Sequence, residues 1–567
     1  MNLPDKLMLE YRRWLDHAVL DQEVSRELEQ MEGDDEAIAD AFYKNLQFGT
    51  GGLRGVIGAG TNRMNIYTIA RATQGLANYL IKHFRQRERS VAIGFDSRVN
   101  SELFARTASD VLAANRFKVF LFPELMPTPC LSFAVRKLKC AAGIMVTASH
   151  NPAEYNGYKV YGQDGGQITD GAASEIWNEI EALDILNGSK RSSFEEGVRN
   201  RAIQYISKPV VDAYMKSVKE LSLYDKKLNR DIKIVYSPLN GSGRKPVLRC
   251  LQECGFKNIT LVAEQEMPDG RFPTCPYPNP EEKEAMALGI EYAGRVNAEL
   301  VLATDPDCDR VGISVRDESG DYILLSGNET GVLLFDYICR RRLEMCTMPD
   351  RPVMIKTIVT TDMAEIIAAD YGVETINVLT GFKYIGEQIG LLEQKGRAAS
   401  FIWGFEESYG YLSGVHVRDK DAVNGSMLIC EMLVYYKEKG ITLLDRLGEL
   451  YKKYGYWMNT LYSFQFTGAD GSKEMQKIME DMRKGAEEVA GYKVTEYLDY
   501  SMGIQGLPKS NVIKFKLDNQ SSVVLRPSGT EPKLKIYISA SSKTEEEARL
   551  ITGQISSYIE QKLSVNA

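Results

Sequence analysis

Apolar residues in this chain come in short bursts that stop at a polar loop. SVAIGFDSR turns polar at Asp96, GIMVTASHNP at Ser149, AELVLATDPDCDR at Asp305 and SFIWGFEESYG at Glu406. Each burst has the length of a buried strand. Between them lie segments with apolar residues at helical spacing, such as ELFARTASDVLAAN and EKEAMALGIEYAGRV. Alternating strands and helices predict α/β domains with largely parallel sheets. In open sheets of that kind ligands gather beyond the carboxyl ends of the strands, so each polar loop stands where sites form. The tail differs. SSVVLRPSGTEPKLKIYISA predicts two strands around a Gly/Pro loop, and TEEEARLITGQISSYIEQKL a helix, which together suggest a smaller α+β domain. At the other end, Leu7, Tyr11, Trp14 and Leu15 form a helical stripe.

With 567 residues the chain exceeds one hydrophobic core, and about 150 residues per domain gives a prior of about four. We place cuts near residues 205, 325 and 452, giving domains 1–205, 206–325, 326–452 and 453–567. The first begins with a helical extension of about 45 residues, expected to pack on the domain that follows. A net charge of -8 without a Lys/Arg block predicts no nucleic-acid partner. No apolar run approaches the ~18 residues of a membrane span, and the start lacks the apolar core of a signal peptide. Nine cysteines in no pattern fit a cytoplasmic location. Four histidines in all argue against a His-rich metal site.

Four loops and one turn carry candidate chemistry. In TDPDCDR, Asp305, Asp307 and Asp309 alternate after a strand. Three such carboxylates repel one another unless a cation joins them, and hard oxygen ligands suit magnesium or calcium. The plain alternative is a solvated acidic turn, against which the preceding strand counts. An EF-hand does not fit, because its sixth position would be Arg310 and its twelfth Arg316. A phosphatase with an aspartyl nucleophile fits better. In LRPSGTEPK, Arg526 offers a fork of donors to a phosphate, Ser528 and Thr530 add hydroxyls, and Gly529 lets backbone N–H groups approach an anion. The same residues make a good hairpin turn. In GFEESYGYLSG, Glu406 and Glu407 could accept hydrogen bonds from sugar hydroxyls, with Glu407 expected to be the solvated one. FGTGGLRG sets three glycines before Arg54, without the spacing of a Walker A loop or of a full GxGxxG. Ser149, in a Ser-His-Asn-Pro turn, is by itself a turn residue. Neighbours on an extended chain point opposite ways, which places His150 badly to activate it. No Gly-x-Ser-x-Gly elbow surrounds it. Lys159 is the better base if the loop folds back.

Together FGTGGLRG, TASHNPAEYNGYK, DPDCDR, GFEESYG and RPSGTEP, in that order over nearly the whole chain, resemble the α-D-phosphohexomutase superfamily. NRMN at Asn62–Asn65, KTIVTTDM and LTGFKYIG look most like its longer phosphoglucomutase/phosphopentomutase branch. The resemblance implies four domains around a central cleft, three related α/β domains and a smaller C-terminal α+β domain. It implies that Ser149 is the phosphorylated serine and completes a Mg²⁺ site with Asp305, Asp307 and Asp309. It makes Lys159 the general acid/base, and Arg54 and Arg310 cations that offset the site's negative charge. Lys383, Glu406 and Ser408 would bind the sugar, and Arg526, Ser528, Gly529 and Thr530 the phosphate that does not react. The implied reaction interconverts glucose 1-phosphate and glucose 6-phosphate, with glucose 1,6-bisphosphate as intermediate and activator. Sugar phosphates are then the expected small-molecule partners. Glu-Glu-Ser resembles glucose-preferring members. Mannose and pentose phosphates are the alternatives, and a magnesium-dependent sugar phosphatase or a non-catalytic sugar-phosphate sensor rank lower.

Overall fold

The computed structural model describes residues 5–224, 229–466, 468–527 and 533–565. Ser528, Gly529 and Thr530 lie outside the described residues. The chain forms two compact units. One comprises Met1–Leu325, Phe382–Phe401 and Tyr409–Tyr435; the other comprises Ser326–Gly381, Ile402–Ser408 and Tyr436–Ala567.

The first unit holds two sheets. Strands β1 (Leu53–Val56), β2 (Ser90–Phe95), β3 (Lys118–Leu121), β4 (Ala142–Val146), β5 (Tyr155–Gly162) and β6 (Ile203–Tyr205) lie in the order β1-β5-β4-β2-β3-β6. Strands β7 (Ile234–Ser237), β8 (Ile259–Leu261), β9 (Leu300–Thr304), β10 (Val311–Arg316) and β11 (Tyr322–Leu325) lie in the order β11-β10-β9-β7-β8. β4 and β9 are buried at every position, which is why they read as unbroken apolar runs. The helices Ser101–Ala114 and Lys283–Val296 form where the spacing predicts them.

The sheets are more mixed than the sequence suggests. β4-β2-β3-β6 and β9-β7-β8 are parallel, but β5 returns antiparallel to β4, and β10 antiparallel to β9. The reason is the length of the connections. A parallel neighbour needs a crossover of about a dozen residues or more, whereas residues 147–154 and 305–310 are only long enough for a hairpin-like return. Ser149 and the three aspartates therefore sit on tight loops held at both ends by paired strands.

The N-terminal extension is part of the first unit. Within helix Asp5–His17, Tyr11 and Trp14 are buried. The Trp14 ring meets Phe42 and Tyr67 edge-on, with centroids 5.7 and 5.3 Å away. That geometry favours aromatic pairs.

In the second unit β12 (Val353–Thr357) pairs in parallel with β13 (Glu374–Val378), and β14 (Phe401–Glu406) lies on the other side of β12. A short strand β15 (Gly410–Leu412) belongs to the first unit. The C-terminal part of the second unit is an antiparallel sheet of β16 (Tyr456–Gln465), β17 (Glu488–Val489), β18 (Tyr492–Asp499), β19 (Ile513–Leu517), β20 (Ser522–Pro527) and β21 (Lys533–Ser542). Ile551, Ile555 and Ile559 of helix Glu545–Val565 join its core with Ile536 and Ile538. The tail is therefore the α+β arrangement expected.

One buried carboxylate organises the rest of the second unit. Asp336 receives Arg446 through Nη2 at 2.8 Å and Nε at 3.0 Å, Tyr371 at 2.7 Å and Tyr436 at 2.6 Å. Burial pushes its pKa up, but the Arg446 hydrogen bonds and charge outweigh this and hold it below the usual carboxylate range. Asp336→Ala should cost about 3–5 kcal/mol, because it removes the buried partner of Arg446 Nε and Nη2 and of two tyrosine hydroxyls. The folded-state pKa lies below the unfolded one. The network's contribution is thus present above the unfolded carboxyl pKa and is lost as pH falls through the folded value. Denaturant unfolding of both proteins across that acid range should show their difference shrinking.

Among the described residues, no helix is long and apolar enough to cross a membrane. The nine cysteines are free thiols.

Candidate active site

The Ser149 loop starts where β4 ends. Ser149 is a non-glycine residue at φ 52°, in the left-handed region, which L-residues occupy at a cost of about 1–2 kcal/mol. It is buried, and its Oγ donates to Asp305 Oδ2 at 3.0 Å. The left-handed turn corrects one expectation. The chain is not extended at Ser149, so His150 does not point away: its Nδ1 lies 3.2 Å from Ser149 Oγ. Burial, together with the Arg310 and Arg54 charges, pushes the His150 pKa well below its ordinary value and keeps the ring neutral.

The glycine-rich segment supplies a wall for this loop. Gly52 has φ +76°, and a Cβ there would stand 1.8 Å from the Tyr158 carbonyl oxygen. Only glycine permits so close an approach. It brings β1 onto β5, with Arg54 opposite Gly157, and Arg54 Nη1 donates to Asn151 Oδ1 at 3.1 Å.

The second loop joins β9 to β10. Asp305, Asp307 and Asp309 are all at most 1% exposed. One oxygen from each lies within 4.8 Å of the others. Asp305 Oδ1 accepts the backbone N–H groups of Asp309 and Arg310, each at 3.0 Å. Lys159 Nζ donates to Asp307 Oδ2 at 2.8 Å and stands 3.8 Å from Asp309. Burial and then the charges of Asp309 and Asp307 push Asp305 well above the carboxylate range. Burial and Asp307 also raise Asp309. Asp307 goes the other way: burial opposes ionisation, but the Lys159 charge and hydrogen bond hold it well below that range. Among the described residues, Asp307 Oδ1 and Asp309 Oδ1 accept no hydrogen bond. Buried carboxylate oxygens left open toward one another are a donor set for a hard divalent cation.

Three residues that the sequence did not single out complete this cluster. Thr128 donates to Asp307 twice, N–H to the carbonyl and Oγ1 to Oδ2, both at 2.9 Å. Lys420 Nζ lies 3.1 Å from Asp309 Oδ2 and 3.1 Å from Asp419 Oδ1. Arg98 is buried under the Ser149 loop. Its signal was present, since FDSR ends one of the apolar bursts; Thr128 and Lys420 lie far along the chain and carry none. Arg310 donates to Glu281 at 3.1 Å, and its Nε is 3.9 Å from Asp309. Lys383, also in the first unit, lies 3.4 Å from Asp170 Oδ1.

The second unit holds the other predicted groups. Glu406 is buried, and its Oε1 accepts the Gly381 N–H at 2.9 Å. Glu407 is not the solvated charge expected. It is half-buried and accepts the Thr357 and Thr360 hydroxyls at 3.3 and 3.2 Å, because the chain curls at the end of β14 and turns both carboxylates inward. Ser408 follows, half-buried. Arg526 lies on β20, which pairs with β21, the strand that carries Tyr537. Burial and the Glu407 charge push the Tyr537 phenol up to about 12, and Arg526 opposes that rise. The glutamate loop and Arg526 thus act on one tyrosine of the same unit.

Four sequence models of one family match the chain in order. They are described as phosphoglucomutase/phosphomannomutase alpha/beta/alpha domain I over residues 45–186, domain II over 212–320, domain III over 326–454 and the C-terminal domain over 472–552. The chain belongs to the phosphoglucomutase/phosphomannomutase family. Among curated members, the phosphoglucomutase of Staphylococcus saprophyticus is 37% identical over 511 residues, 88% of this chain and 91% of its own. That of Staphylococcus aureus is 36% identical over 535 residues, 91% of this chain and 92% of its own. The family fold is also that of two solved structures. A phosphoglucomutase/phosphomannomutase family protein from Burkholderia thailandensis has a TM-score of 0.69 at 18% identity, covering 92% of this chain and 97% of its own. The open form of parafusin, a phosphoglucomutase from Paramecium, has a TM-score of 0.69 at 16% identity, covering 92% and 95%.

Proposed function

We propose that this protein is a phosphoglucomutase, interconverting glucose 1-phosphate and glucose 6-phosphate through phospho-Ser149 and a glucose 1,6-bisphosphate intermediate. One observation carries the reading. A serine hydroxyl in a strained turn lies 3.0 Å from the first of three buried carboxylates, the other two of which, Asp307 and Asp309, have oxygens to spare. Strain of this kind gathers at functional sites.

In the first half-reaction, the phosphoserine P–O bond breaks as the free sugar hydroxyl bonds to phosphorus. The hydroxyl proton passes by way of Lys159 to the departing Ser149 Oγ. The bisphosphate turns over, and Ser149 Oγ accepts the other phosphoryl group while its proton passes back by way of Lys159 to the sugar oxygen that is released. Asp305, Asp307 and Asp309 would hold Mg²⁺ with the phosphoserine, and the ion would neutralise charge on the transferring group. Arg54, Arg310 and Lys420 add fixed positive charge around it. Glu406 and Ser408, with Lys383, select the sugar. Arg526, with Ser528, Gly529 and Thr530, holds the phosphate that stays. We assign these tasks to four domains, 1–205, 206–325, 326–452 and 453–567. Free thiols throughout the chain suit the cytoplasm.

The test is a coupled assay with magnesium and a trace of glucose 1,6-bisphosphate, offering glucose, mannose and ribose 1-phosphates side by side. Glucose 6-phosphate formed with the highest kcat/KM is the expected result. A higher kcat/KM with mannose or ribose would move the assignment to a phosphomannomutase or a phosphopentomutase, and release of inorganic phosphate would make it a phosphatase. In the same assay Arg526→Ala should raise KM for glucose 1-phosphate about 10–100-fold, the worth of a charge-assisted phosphate contact. Unchanged kinetics would remove Arg526 from the clamp.

A further inference from the structure

Both polar ends of the Ser149 residue are held, and both holds lead to one buried ion pair. The Ser149 N–H donates to Thr147 Oγ1 at 2.8 Å, and Thr147 Oγ1 donates to Asp96 Oδ2 at 2.5 Å. The Ser149 carbonyl accepts Arg98 Nη2 at 2.7 Å, and Arg98 Nε lies 3.5 Å from the same Asp96 oxygen. Asp96 is fixed in turn by the Ser101 hydroxyl at 2.8 Å and the Arg98 N–H at 2.9 Å. The circuit Asp96, Thr147, Ser149, Arg98 therefore closes on itself. It pins the N–H and the C=O of a residue whose backbone would otherwise leave the left-handed region.

Arg98 does more than close this circuit. Nη2 also reaches the Asn151 carbonyl, and Nη1 reaches those of Pro152 at 2.7 Å and Tyr155 at 2.9 Å. One guanidinium thus gathers four carbonyl oxygens of the loop. A fork of five donors can do this; the compact, three-donor ammonium of lysine cannot span the same set. On its other side the guanidinium faces the Phe272 ring, 5.1 Å from its centroid, and the Arg98 backbone pairs with Gly270. A Cβ on Gly270 would stand 2.7 Å from the Arg98 carbonyl carbon, so this contact is close by construction. Gly270 and Phe272 belong to the part of the chain that bears the aspartate triad, the second α/β domain of the family. Arg98 is 3% exposed, and besides Asp96 the charges of Asp307 and Asp305 act on it.

We propose that Arg98 is a positioning residue for phosphoryl transfer: by gathering the carbonyls of residues 149, 151, 152 and 155 it holds Ser149 in its strained turn with Oγ aimed at the triad, and through Phe272 and Gly270 it sets the serine loop against the region that carries the triad. It touches neither substrate nor metal ligand oxygen and acts through Ser149. The inference rests on Ser149 being the phosphoryl carrier.

The experiment compares wild type, Arg98→Lys, Arg98→Ala, Thr147→Val and Ser149→Ala in the glucose 1-phosphate assay, with rates expressed per folded molecule. Arg98→Lys keeps the charge and loses the fork. Its kcat should fall about 100-fold, the loss that goes with misplacing a reacting group by about 1 Å, while KM stays within about threefold of wild type. Thr147→Val keeps the shape and releases the Ser149 N–H, and its kcat should fall about tenfold with KM unchanged. Arg98→Ala should regain activity when guanidinium is added at millimolar concentration, and gain nothing from sodium chloride of equal ionic strength. A purely structural arginine would lower the folded fraction and leave kcat per folded molecule and the guanidinium response flat. A kcat within about twofold of wild type in Arg98→Lys overturns the proposal. If neither Arg98 variant folds, the same result in Thr147→Val overturns it. An active Ser149→Ala would instead overturn the phosphoserine reading itself, so the two failures are told apart.

Discussion

Ser149→Ala is expected to lower kcat on the order of 10⁴-fold or more, because it removes the atom that carries the phosphoryl group between half-reactions. The hydroxyls described at this site are held elsewhere. Thr128 Oγ1, on the triad side, is buried with its proton committed to Asp307 at 2.9 Å. Thr147 Oγ1 is committed to Asp96. The loss should come without unfolding, since the loop is held through backbone groups of residue 149 rather than through its side chain. Two measurements check it: kcat in the coupled assay, and intact mass after exposure to glucose 1,6-bisphosphate. Wild type should gain one phosphoryl group and the variant none. A variant that still gains the group would place the carrier elsewhere.

Asp305→Asn should be nearly as damaging and has a second signature. Asparagine keeps the shape, and its Oδ1 can go on accepting the Asp309 and Arg310 N–H groups now bound to Asp305 Oδ1. What it loses is one of three charges facing a cation. We expect kcat to fall about 10³-fold. In the absence of divalent ions the variant should melt within about 2 °C of wild type, since the Ser149 hydroxyl that loses Asp305 Oδ2 has His150 Nδ1 at 3.2 Å to turn to, and one source of repulsion inside the triad is gone. With magnesium the wild type should gain stability in proportion to occupancy, and Asp305→Asn should gain little. Equal magnesium-dependent shifts in the two proteins would mean that Asp305 is not a ligand.

What could be read along the chain and what could not have distinct physical causes. β2, β4 and β9 were legible because a strand covered on both faces must be apolar throughout, and its end must be polar where the loop meets a site. β5 and β10 gave no hint of direction, because strand composition does not encode whether a neighbour runs parallel. That information lies in the length of the short loops before them. The chemistry of Ser149 and the triad was visible as local motifs. His150 was misjudged because a backbone torsion, φ 52° at Ser149, reverses the geometry of adjacent side chains. Glu407 was misjudged because its partners, Thr357 and Thr360, lie about fifty residues earlier. Lys420 reaches Asp309 across more than a hundred residues of chain, a proximity that only the folded sheet order creates.

The division of the chain into units has a consequence for how such a protein can be dissected or inherited. The backbone passes from one unit to the other after Leu325, Gly381, Phe401, Ser408 and Tyr435. A fragment ending at Leu325 would contain both sheets of the first unit yet not stand alone. The Tyr161 hydroxyl would lose Asp419 and that of Tyr214 would lose Asp421, leaving two buried donors without partners, and Ser132 Oγ would lose the Arg418 N–H and keep only the Gly165 carbonyl. Each such orphan costs about 1–3 kcal/mol, comparable in sum to the net stability of an ordinary domain. Split-protein complementation at residue 325 should therefore need both pieces present during folding, and a gene rearrangement that swapped the third segment would have to carry over the side chains that finish the first.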